Sequence, residues 1–143
     1  MKFIICDSAR EKWGKTETLS KVIDKLRISY APVKFHTEGR DSYAFFKLQN
    51  GKTVFISTLG DPGSGYMNWW HIGINLEADI IVCACRTSGD TLNNLVSLAD
   101  ANQYEIIWFK NFYMEHKGLT KTPIHAFTKD IEVKCLYELI HSL

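Results

Sequence analysis

The chain has 143 residues and a formal net charge of +1, with 45% hydrophobic and 23% charged residues. These values are ordinary for a water-soluble globular protein and predict one domain with a single core. The near-neutral charge gives no reason to expect nucleic-acid or membrane binding, and no apolar run is long enough to span a bilayer.

A short apolar strand is predicted over residues 2–6, and the loop that follows it fits the Walker A pattern. Four residues separate Ala9, which stands where the pattern usually has glycine, from Gly14, Lys15 and Thr16. Backbone N–H groups of such a loop point at phosphates, and the positive end of the next helix dipole adds to the attraction. Lys15 is expected to reach the outer phosphates and the Thr16 hydroxyl to bind Mg²⁺. The predicted nucleotide contacts are Ala9, Arg10, Glu11, Lys12, Trp13, Gly14, Lys15, Thr16 and Glu17.

A helix, a polar connection and a hairpin are predicted next. Apolar side chains recur at helical spacing in residues 17–28, which predicts an amphipathic helix. Residues 29–41 are polar and contain proline and glycine, which predicts a loop. Two β-rich runs at 43–48 and 53–58 flank an Asn-Gly pair, the strongest short-range signal for a β-hairpin.

The glycine-rich segment 59–65 contains the acid that we expect to bind Mg²⁺. Asp61 follows an apolar run and stands 45 residues after Thr16. Mg²⁺ bound to substrate phosphates normally needs a carboxylate, and a Walker B acid occupies such a place. Asp61 is therefore a predicted catalytic and metal-binding residue together with Lys15 and Thr16. A plain Gly-Asp-Pro-Gly turn is the alternative interpretation, and Asp7 is the alternative ligand.

The remainder of the chain alternates strands and helices. Buried strands are predicted at 79–85 and 105–109, with a helix at 91–101 between them. A short strand at 123–127 and an amphipathic helix at 129–143 are predicted to end the chain. This order predicts an α/β fold in three layers, with a mainly parallel sheet and one antiparallel hairpin.

The four cysteines are at positions 6, 83, 85 and 135, three of them in apolar runs, so buried reduced thiols are expected. Cys83 and Cys85 lack a second pair of ligands, which disfavours a zinc site. The N-terminus shows no signal-peptide pattern, and a reducing, cytoplasmic location is predicted.

Through its strand, its motif at 9–16 and its helix, the chain resembles the P-loop NTPase superfamily. The long loop, the hairpin and the Asp-Pro-Gly turn follow in an order similar to that of Ras-like small GTPases. The resemblance implies a single P-loop nucleotide-binding domain over residues 1–143 that uses Mg²⁺. It also places Thr37 where the family has a threonine that closes over the metal, although a solvated loop threonine is the alternative. The guanine-reading Asn-Lys-x-Asp motif is missing after 105–109, so ATP is expected, with GTP as the alternative.

Two further features of the sequence have both functional and structural interpretations. Arg86 follows a buried strand, and it either stabilises phosphate charge or lies at the sheet end near Asp90. Tyr66, Trp69 and Trp70 either contribute to a protein-partner surface, within the segment from Gly60 to Trp70, or belong to the core.

The sequence therefore predicts a small Mg²⁺-dependent ATPase or GTPase that hydrolyses the bond between the β- and γ-phosphates. A nucleotide-binding regulatory or interaction module that does not hydrolyse is the alternative. A kinase is disfavoured, because such enzymes usually have an arginine-rich lid and Arg86 is the only arginine after Asp61.

Overall fold

The computed structural model of the chain describes residues 1–8, 15–110 and 121–143, and for Lys15 and residues 121–126 it describes the backbone. The strands are β1 (Phe3–Ser8), β2 (Lys34–Glu38), β3 (Asp41–Lys47), β4 (Thr53–Ser57), β5 (Ile80–Cys85) and β6 (Glu105–Lys110). The helices are α1 (Lys15–Ser29), α2 (Tyr66–Asn75), α3 (Asp90–Asn102) and α4 (Lys121–Ser142).

The six strands form one sheet in the order β2-β3-β4-β5-β1-β6. β1 pairs in parallel with β5 and β6, and β4 pairs in parallel with β5. β3 is antiparallel to both of its neighbours, so it is the only reversed strand among those described. The carboxyl ends of the other five strands consequently meet at one edge of the sheet, here called the carboxyl edge.

Helices cover both faces of the sheet, as the predicted three-layer α/β architecture requires. α2 and α3 pack on one face, where Trp70, Leu95 and Leu98 join the core. α1 and α4 pack on the other face, and the inward side chains predicted for α1 are almost fully buried. α1 and α4 run in the same direction, because Thr18 near the start of α1 contacts Glu132 in the middle of α4, whereas Tyr30 just after α1 contacts His141 near the end of α4.

The predicted hairpin is confirmed as β3 and β4, whereas the loop predicted at 29–41 was wrong. β2 lies within that range and pairs with β3. All five of its residues are exposed, so the strand carries no alternation of buried and exposed side chains that a sequence pattern could reveal. Pairing with β3 forms it, and Gly39 supplies the positive φ of 63° in the turn between them.

Two predictions near the end of the chain also need correction. Residues 123–127, predicted as a strand, lie in α4. Pro123 stands in the first turn of that helix, where a missing N–H costs no intrahelical hydrogen bond. The strand expected to be buried at 105–109 is the edge strand β6, and Trp108 on it is 43% exposed. Within the described residues no helix is both long enough and apolar enough to cross a membrane.

Candidate functional site

Buried polar side chains concentrate at the carboxyl edge. Burying such groups costs free energy unless they are hydrogen-bonded or paired, so their concentration at one edge marks a candidate site. Those buried among the described residues lie at the ends of β1 and β4, at the start of β3, in the first turns of α1 and α3, and on α4 beside α1. They are Asp7, Ser8, Thr18, Ser42, Ser57, Thr58, Thr91, Thr128, Lys129 and Glu132.

The predicted phosphate-binding motif connects β1 to α1 at this edge. β1 ends at Ser8, between β5 and β6, and α1 begins at Lys15. The positive end of the α1 dipole is therefore directed to the carboxyl edge. Thr16 is half-buried in the first turn of α1, and Glu17 is exposed and forms an ion pair with Lys21. The predicted contacts Ala9, Arg10, Glu11, Lys12, Trp13 and Gly14 lie outside the described residues, as does the side chain of Lys15.

Asp61 lies in the connection between β4 and α2, which leans over the end of β5. Because β5 separates β4 from β1, the two strands are about 10 Å apart. Gly60 allows the loop after β4 to approach β5 closely. A Cβ atom built on this residue would lie 2.2 Å from the carbonyl oxygen of Ala84 in β5. Ala84 is the register partner of Asp7 in β1. The close approach thus directs the Asp61 loop towards the strand that precedes the motif.

Arg86 extends the site from the end of β5. Its Nε lies 3.4 Å from Oδ1 of Asp61, and both side chains are partly exposed. Its backbone N–H donates to the Thr91 hydroxyl in the first turn of α3, at 3.1 Å. An ion pair with this exposure contributes at most about 1 kcal/mol to stability. Both charged groups therefore lie within reach of a ligand at the carboxyl edge.

Asp7 and a buried ion pair lie on the α1 and α4 side of the sheet. Asp7 is fully buried and, by the alternation of the strand, shares the face of Ile5, which packs under α1 and α4. Nearby, Nζ of Lys129 lies 3.1 Å from Oε2 of Glu132, and both side chains are almost fully buried. The Thr18 hydroxyl donates to the same carboxylate oxygen at 3.0 Å.

Lys129 and Glu132 were not predicted as site residues, although the sequence contains a signal for them. Both residues fall on the stripe of α4 that also carries Val133, Leu136 and Ile140. Charged residues in an apolar stripe at helical spacing indicate a buried polar contact rather than a solvated face.

Several residues singled out in the sequence are not brought to the site. Thr37 is exposed on β2, four strand spacings or about 19 Å from β1. Tyr66, Trp69 and Trp70 are buried in the core, and Trp69 packs edge-on against Tyr43. A protein partner at the segment from Gly60 to Trp70 stays a prediction, because the three aromatic side chains that suggested it are not exposed.

Three of the four cysteines belong to the core. Cys6, Cys83 and Cys85 are buried, and none of the four cysteines forms a disulfide within the described residues. The hydrogen bond with Cys83 raises the pKa of the Cys6 thiol well above its usual value, and burial contributes in the same direction. Such a thiol is a poor nucleophile near neutral pH. Within the described residues, moreover, no group of three or more His, Cys, Asp or Glu side chains could hold a metal ion.

No protein-family model, curated protein or solved structure matches this chain. The relationship to P-loop proteins therefore remains a resemblance carried by the residues themselves.

Proposed function

We propose that the protein binds a nucleoside triphosphate with Mg²⁺ at the carboxyl edge and hydrolyses the bond between its β- and γ-phosphates. The observation that carries this proposal is the position of the motif. β1 ends at Ser8 and α1 begins at Lys15, so residues 9–14 fill a strand-to-helix connection at the carboxyl end of an inner strand. Ligands in α/β sheets bind at such ends, and helix N-termini attract phosphates.

The donor set at the edge fits a magnesium nucleotide. Mg²⁺ requires oxygen ligands and is usually held by one or two carboxylates together with substrate phosphates and water. The Thr16 hydroxyl and the partly exposed Asp61 carboxylate are donors of this kind, and Asp7 is a buried carboxylate at the end of β1. A metal held in this way needs no cluster of three protein ligands.

The residues of the site have distinct parts in the proposed reaction. Thr16 and Asp61 would hold Mg²⁺, which would supply charge stabilisation for the transferring phosphoryl group. Arg86, whose Nε lies 3.4 Å from Asp61, would place its guanidinium against phosphate oxygens. Lys15 would hold the outer phosphates. Catalysis of phosphoryl transfer consists mainly of such positioning and electrostatic stabilisation.

The proposal is tested by calorimetric titration of the protein with ATP and GTP, with and without Mg²⁺. Lys15→Ala should abolish binding while leaving the melting temperature close to that of the wild type. Asp61→Asn keeps the shape of the side chain and removes its charge, so it should weaken Mg²⁺-dependent binding more than metal-free binding. If Lys15→Ala binds both nucleotides as the wild type does, the proposed site is wrong.

Hydrolysis is tested separately, with protein in excess over radiolabelled nucleotide in a single turnover. Release of phosphate that is lost in Asp61→Asn supports the hydrolase. Tight binding without release would instead assign the protein to the non-hydrolysing regulatory modules.

A further inference from the structure

α4 contacts the first turn of α1 through a buried ion pair and a hydrogen bond, and the packing of the two helices does not require charged residues there. Lys129 and Glu132 are 2% and 1% exposed, yet they lie beside the apolar residues that α1 and α4 bury against each other. Replacing a buried ion pair by apolar residues is often neutral or stabilising, because desolvation offsets the attraction. Packing alone would therefore favour apolar side chains at both positions.

This contact lies next to the proposed nucleotide site. Thr18 is fully buried and donates to Glu132 at 3.0 Å, and it stands two residues after Thr16 in the first turn of α1. The hydrogen bond thereby fixes the rotation of the turn that carries the predicted metal ligand. A carboxylate at this place also has an electrostatic effect, because a negative charge near the start of α1 opposes the binding of phosphates.

We propose that Lys129 and Glu132 are positioning residues for the bound nucleotide. Glu132 holds the first turn of α1 through Thr18, and Lys129 cancels the charge of that carboxylate. The N-terminus of α1 consequently remains attractive to phosphates. This inference rests on the proposed function, and it deepens it by assigning a role to α4.

The proposal predicts opposite effects for the two members of the pair. Lys129→Met removes the cation that lies 3.1 Å from the Glu132 carboxylate, and we expect Mg-ATP affinity to fall about tenfold. Glu132→Gln removes the negative charge but keeps an oxygen for Thr18, so affinity should be unchanged or higher. The double variant Lys129→Met/Glu132→Gln should recover most of the affinity lost in Lys129→Met. A purely structural pair would instead lower the melting temperature of the single variants while leaving their Mg-ATP affinity equal to that of the wild type.

A second set of variants tests the hydrogen bond and remains informative if Lys129→Met does not fold. Thr18→Val removes the hydroxyl at nearly constant shape and should weaken binding, whereas Thr18→Ser should restore it. Tyr30→Phe is the matched control, because it removes a contact with His141 of 3.1 Å at the far end of the same two helices. It should leave Mg-ATP affinity unchanged.

Affinities are measured by calorimetry, and each variant is melted in parallel to follow stability. Recovery in the double variant and rescue by Thr18→Ser support the inference. Equal affinity in the wild type, Lys129→Met and Thr18→Val would overturn it while leaving the proposed function intact. A wild-type protein that binds no nucleotide would refute the proposed function and the inference together.

Discussion

The substitution Gly60→Ala tests the geometry that directs Asp61 towards β1. An added Cβ would lie 2.2 Å from the carbonyl oxygen and 2.6 Å from the carbonyl carbon of Ala84. Both atoms belong to the backbone of β5, which is held between β1 and β4 and cannot yield as a flexible side chain does. Ordinary contact begins at 3.4 Å, so the loop must move by roughly 1.2 Å.

This displacement has two consequences of different size. Overpacking of this kind costs about 1–3 kcal/mol of stability. A shift of about 1 Å is also half of the distance between Mg²⁺ and its ligands, which is about 2.1 Å, so Asp61 would no longer fit its proposed role as a ligand. Misplacement by 1 Å can cost about a hundredfold in rate. We therefore expect Gly60→Ala to fold, with a lower melting temperature and little Mg²⁺-dependent nucleotide binding.

The assay compares Gly60→Ala with Gly73→Ala in thermal melts and in titrations with Mg-ATP. A Cβ on Gly73 would lie 2.7 Å from the Phe55 ring, so this variant should also lose stability, and its clash lies outside the Asp61 loop. Gly73→Ala should therefore keep the metal dependence of the wild type. If the two variants lose equal stability and both retain Mg²⁺-dependent binding, the position of Asp61 does not depend on Gly60 and the reasoning is refuted.

Three further predictions concern Arg86 at the carboxyl edge, the base of the bound nucleotide and the stability of the protein at alkaline pH. Arg86→Gln should change the free energy of unfolding by less than about 1 kcal/mol, because the pair with Asp61 is partly exposed, yet should weaken Mg-ATP binding in the same titration. A loss of stability above about 3 kcal/mol would instead assign Arg86 a structural role. In a competition titration ATP should bind at least as well as GTP; a hundredfold preference for GTP, on the order of 3 kcal/mol, would mean that an unrecognised carboxylate reads guanine, with Glu115 the first to substitute. Burial, followed by the charges of Asp79 and Glu77, raises the pKa of Tyr104 to about 12. The stabilisation that the protonated Tyr104 hydroxyl provides should be complete below pH 10 and lost between pH 10 and 12. In urea unfolding, the difference in free energy of unfolding between the wild type and Tyr104→Phe should therefore shrink across that range. An advantage that is equal at pH 9 and pH 12 would contradict the shift.

Local patterns of the sequence determined most of the elements of the fold. The periodic apolar residues of α1, the Asn-Gly pair between β3 and β4, and the apolar run of β5 each predict their element from neighbouring residues alone. These signals are local, because helical spacing and turn chemistry act over a few residues. The predicted phosphate-binding motif and Asp61 were candidates for the same reason, since both stand next to predicted strand ends.

Only the tertiary structure decided which of these residues meet. β2 is fully exposed and forms because β3 lies beside it, and β6 is partly exposed because it is an edge strand. The ion pair of Asp61 with Arg86 joins residues 25 positions apart, and the contact of Thr18 with Glu132 spans 114 positions. Such contacts depend on strand order and on the packing of α4 against α1, and no local pattern encodes either. The sequence thus determined the candidate chemistry, whereas the packing of the sheet and helices determined which polar groups share the carboxyl edge.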